Sequence, residues 1–147
     1  MQRLKWRFGT VVLVVSTVAL GACSSAPAAT PKTTVTMSEF TLQAPAKVAA
    51  GTTEFVAHNV GGAQHEMVVV RGSKDGLPTK ANGSVNESAI ESRIVGEIEK
   101  VQAQTDKSKR FELRPGTYTL ICNADSMLGS TQVNHYAKGM VTEFTVT

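Results

Sequence analysis

The chain has 147 residues, 41% of them hydrophobic, which is enough for one ordinary domain with a core and too apolar for a disordered chain. Its 15 basic residues exceed its 12 acidic ones, but Arg3, Lys5 and Arg7 precede the expected domain, and the chain from residue 23 onward carries 12 of each. A near-neutral domain gives no reason to expect nucleic acid or a strongly anionic partner.

The first element is a leader. Three basic residues precede an apolar run from Val11 to Leu20, and small residues close the segment, which is the layout of a secretory signal peptide. Leu20-Gly21-Ala22-Cys23 resembles the bacterial lipobox. That resemblance implies cleavage before Cys23 and lipidation of its sulfur, with anchoring to a membrane in the cell envelope on the periplasmic or extracellular side. An uncleaved anchor is the alternative, but the apolar run is short for a bilayer span. Residues 1–22 are therefore expected to be removed. Residues 23–33, containing the small, polar and proline-bearing SSAPAATPKT, form a lipidated tether, and residues 34–147 form the domain.

Within the domain, TTVTMSEFTL, TTEFVAHNV, HEMVVVRG, IVGEIEKV, KRFEL, TYTLIC and MVTEFTVT are short runs rich in Val, Thr, Ile and aromatics. The segments between them, such as PAKVAAG, GSKDGLPTKANG and RPG, carry Pro and Gly. The pattern predicts an all-β Greek-key sandwich or barrel. Only NESAIESR, residues 86–93, reads as helical, a short helix that Asn86 would cap. Tyr118 and Pro115-Gly116 read as turn and packing residues of a Greek-key corner.

If Cys23 carries lipid, Cys122 has no disulfide partner in an exported and usually oxidising compartment. Alternation places Tyr118, Leu120 and Cys122 on one face of their strand, and Met140, Phe144 and Val146 on one face of theirs. Both sulfurs thus face the core at opposite sides of one connection, which also holds His135. His65 opens an earlier strand, from which an imidazole can project over the end of a sandwich. Taken singly, each residue has a plainer explanation: a surface histidine, a core methionine, a small buried cysteine. Jointly, two imidazoles, a thiolate and a thioether are the donor set of a trigonal copper site with a weak axial methionine.

PAKVAAGTTEFVAHNVG, HEMVVV, LRPGTYTLICN and HYAKGM together resemble the cupredoxins, particularly the small plastocyanin- and sulfocyanin-like copper proteins of bacterial envelopes, over Val35 to Thr147. The resemblance implies one type 1 copper, with His65, Cys122 and His135 as equatorial ligands and Met140 as the axial one. It further implies a monomeric, non-enzymatic carrier of single electrons between redox partner proteins. Copper delivery or buffering among copper-handling proteins is a second possibility, and a metal-free immunoglobulin-like adhesion lipoprotein a third. A catalytic copper enzyme is disfavoured because the chain has three histidines, two already assigned.

Two features depart from the pattern. Twelve residues separate Cys122 from His135, more than the few usual in single-domain cupredoxins, which implies a more exposed copper or a more distorted site. Glu66 stands where many cupredoxins have Asn or Ser, so a hydrogen bond tethering the ligand loops is missing or replaced. Met127, inside the long gap, is a competing soft ligand placed outside the site. His58, Lys107, Lys109 and Arg110 are expected to be solvated.

Overall fold

The computed structural model describes residues 29–147. The leader 1–22, Cys23 and the first part of the tether lie outside the described residues. Eleven strands follow: β1 (Lys32–Ser38), β2 (Thr41–Gln43), β3 (Lys47–Val48), β4 (Gly51–Asn59), β5 (His65–Arg71), β6 (Ile94–Val101), β7 (Asp106–Leu113), β8 (Gly116–Ile121), β9 (Asp125–Leu128), β10 (Thr131–Asn134) and β11 (Val141–Val146). β1 begins at Lys32, so the last two residues read as tether pair with Glu54 and Phe55 of β4.

The strands form two facing sheets, ordered β2-β1-β4-β7 and β3-β11-β8-β5-β6, with β9 and β10 as a separate hairpin. This is the expected all-β sandwich. β4 shows how the alternation works: Thr53, Phe55, Ala57 and Asn59 are buried, while Glu54, Val56 and His58 between them are only partly covered. Val35, Met37, Phe55 and Ala57 of the first sheet meet Met67, Val69, Leu120 and Phe144 of the second. Phe144 stacks on Tyr118 at 5.4 Å and packs tilted against Phe55 at 5.7 Å. Each fully buried Val, Leu, Met or Phe side chain among them contributes roughly 1.5–3 kcal/mol.

β5 departs from alternation, with Met67 through Val70 all buried. The connection from β5 to β6 crosses the outer face of the second sheet and packs Leu77, Val85 and Ile90 against Val68, Val70 and Ile121. A strand covered on both faces needs a continuous apolar run, and VVV in HEMVVV supplies it. The same packing breaks the expected helix. Ile90 is buried at φ −123°, which splits NESAIESR into two single 3-10 turns, Glu87–Ala89 and Glu91–Arg93. Asn86 makes no side-chain cap, its backbone N–H instead donating to Pro78 O.

The corner before β8 is closed by Tyr118, whose hydroxyl donates to Arg114 O at 2.9 Å and accepts from Arg114 N–H at 3.1 Å. Lys107 and Lys109 are exposed but not idle. Their ammonium groups donate to the carbonyls of Glu99 and Glu97, bridging the sheet edges β7 and β6. His58 is half-exposed and bonds Asp106 at 2.6 Å, away from the site.

Candidate metal centre

One end of the sandwich collects the predicted donors. His65 is the first residue of β5, opposite Val101. The loop that delivers it is organised by the buried side chain of Asn59, which donates to Ala63 O, Val101 O and Gln102 O and accepts from Gly61 N–H. Cys122 directly follows β8, and its N–H donates to Met140 O at 3.1 Å. His135 directly follows β10; its N–H donates to Ala124 O, and its carbonyl accepts from Met140 N–H. Between His135 and Met140 the chain turns back through Gly139 at φ 96°, a conformation that glycine adopts without steric cost.

The donor atoms converge. His65 Nδ1 and His135 Nδ1 lie 3.0 Å apart, and Cys122 Sγ lies 3.3 Å from His135 Nδ1 and 3.8 Å from His65 Nδ1. A metal with bonds of about 2.0 Å to nitrogen and about 2.3 Å to sulfur would separate three such donors by roughly 3–4 Å. All three residues are fully buried.

The outward nitrogens have surroundings that can take a proton, which would leave both inner nitrogens to ligate. His135 Nε2 is 2.8 Å from Ser126 Oγ, and His65 Nε2 faces Glu39 Oε1 at 3.6 Å with no nearer partner. With Nε2 protonated on both rings, two Nδ1 lone pairs and a sulfur face one point. Without a metal, a proton on one ring bridges the two Nδ1 atoms; a metal ion would take that proton's place, and two imidazoles with a thiolate suit a soft or borderline one.

Protonation agrees. Burial pushes His65 below the usual histidine range, against the opposing pull of the Glu39 carboxylate. Burial also lowers His135, and the neighbouring His65 adds to the effect. Both imidazoles are therefore neutral and ready to ligate at pH 7. Burial pushes the Cys122 thiol up to about 11, opposed by N–H groups of Glu66 and Ala124 aimed at the sulfur. A metal would displace that proton.

Glu66 replaces the expected tether rather than removing it. Its N–H points at Cys122 Sγ at 3.4 Å, and its Oε1 accepts from Asn123 N–H at 3.1 Å, joining the His65 strand to the Cys122 loop. Burial, followed by the charge of Glu87, raises its carboxyl to about 7, with Asn123 N–H opposing.

The long gap between Cys122 and His135 does not expose the site. It folds into the β9–β10 hairpin, in which Gln132 pairs with Met127 and Val133 with Ser126. Its base is fixed by Asn134, whose amide donates to Asn123 O and Asp125 Oδ1. The hairpin covers His135 and supplies Ser126. Met127 is 63% exposed on it, while Met140 is fully buried and tied through its backbone to both Cys122 and His135.

Three contributors escaped the sequence pattern: Ser126, Glu39 and Phe40. The last two occupy the turn that splits TTVTMSEFTL into β1 and β2. Phe40 sets its ring edge-on to His135 at 5.1 Å. Burial works to raise the Glu39 carboxyl, but N–H groups of Ala63 and Gly62 outweigh it, and the group is held below its ordinary range.

No protein-family model and no curated protein sequence matches the chain. Solved structures do. A dithionite-reduced auracyanin from the photosynthetic bacterium Roseiflexus castenholzii superposes with a TM-score of 0.58 at 22% identity, covering 82% of this chain and 98% of that one. Auracyanin A, a "blue" copper protein from the green thermophilic photosynthetic bacterium Chloroflexus aurantiacus, matches with a TM-score of 0.51 at 21% identity, covering 79% and 99%. The copper protein rusticyanin matches with a TM-score of 0.54 at 14% identity, covering 81% and 80%. These likenesses establish the fold, which is the cupredoxin β-sandwich.

Proposed function

We propose that the chain is a blue copper protein that carries single electrons between redox partner proteins of the cell envelope, tethered to a membrane through lipid on Cys23. The observation that carries this reading is the convergence of two imidazole Nδ1 atoms and one thiol sulfur, all buried, within 3.8 Å of one another. Bound copper supplies a one-electron couple, Cu(I) and Cu(II), that thiolate and imidazole together tolerate in both states.

The protein's part is to hold the donors still. Paired strands fix His65 and Cys122, the hairpin fixes His135, and Met140, buried and bonded through its backbone to both Cys122 and His135, would supply the weak fourth donor. A fixed donor set reduces rearrangement between oxidation states, which favours fast electron exchange. Burial of all three ligands, with His135 covered by a structured hairpin, supports retention of the metal over hand-off, and hence electron carriage over copper delivery. Of the three histidines, two belong to the centre and His58 is bound to Asp106, which supports a carrier rather than a copper enzyme.

The test is voltammetry of the copper-loaded protein in the presence of a chelator. Reversible one-electron cycling with metal retained is expected. Rapid loss of copper to the chelator would favour the delivery role. For the anchor, wild type should fractionate with membranes and Cys23→Ala with the soluble fraction; identical partitioning would remove the lipoprotein reading.

A further inference from the structure

Glu39 lies 26 residues before His65 in sequence and in the β1–β2 turn of the opposite sheet, yet its carboxylate faces the outward nitrogen of that ligand. His65 Nε2 is the one buried side-chain nitrogen or oxygen among the described residues without a hydrogen-bond partner. At 3.6 Å the approach of Glu39 Oε1 is longer than a hydrogen bond, so it acts through charge and direction. The carboxylate is itself built in. Its Oε1 accepts from Ala63 N–H at 2.6 Å, and both oxygens lie over Gly61, where a Cβ would come within 2.7 and 2.8 Å of them. A glycine at position 61 is therefore what leaves room for the carboxylate.

A histidine that binds a metal through one nitrogen is oriented by whatever faces the other, and a carboxylate there also raises the basicity of the ring. Glu39 can only accept, and its negative charge favours a proton on the nitrogen it faces. The remaining nitrogen, Nδ1, then presents its lone pair to His135 and Cys122.

We propose that Glu39 is a positioning residue for the metal centre: its carboxylate holds His65 in the Nε2–H form, keeping Nδ1 free to ligate, and its negative charge favours the oxidised state of a metal bound there. The charge part rests on the copper reading above. The tautomer part does not, because it holds in the metal-free protein.

Two variants and two measurements decide the matter. Glu39→Gln removes the charge at nearly constant shape. Gly61→Ala leaves the charge but places a methyl group where the carboxylate sits, so it remains informative should Glu39→Gln fail to fold. In metal-free protein, long-range 15N–1H correlation spectra should show His65 as the Nε2–H tautomer in wild type, with the Nδ1–H form appearing in both variants. In copper-loaded protein, Glu39→Gln should weaken the preference for Cu(II) over Cu(I) about tenfold, a rise in potential of about 59 mV for a one-electron couple. Gly61→Ala should move the potential the same way. A wild-type His65 already in the Nδ1–H form, or variants with unchanged tautomer and potential, would overturn the proposal. Failure of wild type to bind copper would instead refute the copper reading, leaving the tautomer result to decide the role of Glu39.

Discussion

His65 and Cys122 are held by the sheet, whereas His135 is held by a hairpin that belongs to neither sheet. On the sheet side, β5 and β8 pair Val68 with Ile121 and Val69 with Leu120, and apolar clusters cover both faces. On the hairpin side, β9 is mostly exposed, and β10 is buried only at Val133 and Asn134. Position there comes from hydrogen bonds: Asn134 to the Cys122 loop, His135 N–H to Ala124 O, and His135 Nε2 to Ser126. The two sides solve one problem differently. Packing carries most of the placement of two donors, with Asn59 and Glu66 bonds added, while the third depends on a small set of directional contacts that single substitutions can remove.

The largest effect is expected on the sheet side. Cys122→Ser exchanges the soft sulfur for a hard hydroxyl, and the strong visible absorption of a copper–thiolate bond should vanish from the spectrum even if the fold is retained. Next comes the hinge of the hairpin. Asn134→Ala strips the amide from Asn123 O and Asp125 Oδ1, and should cost about 1–3 kcal/mol in chemical denaturation. It should also weaken copper binding about tenfold, measured by competition with a chelator, while leaving His65 undisturbed. Equal copper affinity in wild type and Asn134→Ala would mean that the hairpin covers His135 without holding it.

Met140→Leu tests the residue that joins the two sides. Its thioether is expected at the weak axial position, so the variant should keep its colour and show a raised potential by voltammetry. Proton release separates the sides more finely. With Cys122 pushed up to about 11 and both histidines lowered, metal-free protein at pH 7.5 carries a proton on the sulfur and neutral rings. Copper binding should release about one proton per chain, all of it from the sheet side, as read by calorimetry in buffers of different ionisation enthalpy. Release of two or more would mean that an imidazole is protonated before binding. The smallest effect belongs to the hairpin tip: Met127→Ala, at a side chain 63% exposed, should change neither spectrum nor potential.

The same contrast governs what could be read from sequence. His65 and Cys122 are legible because strand parity decides where a side chain points, and both lie at ends of apolar runs with Pro or Gly nearby. Met140 is legible by the same parity, two residues at a time, from Phe144 and Val146. Residues 123–134 offer no such period. Their hairpin is assembled by Asn, Asp and Ser side chains that bond locally, and the length alone suggested an exposed loop when the fold makes a cover. Glu39 and Phe40 were hidden for a different reason. Their nearness to the two histidines follows from the turn between β1 and β2 and from the loop at 60–64, not from any local pattern. The helix expected at 86–93 was lost because Ile90 gains more by burial against Val68 and Val70 than a short helix gains from its own hydrogen bonds.

The most direct measurement is titration of the purified metal-free chain with Cu(II), followed by visible absorption. A copper site made by His65, Cys122, His135 and Met140 predicts an intense charge-transfer band that grows linearly and stops at one copper per chain. No such band, or one that survives in Cys122→Ser, would contradict it.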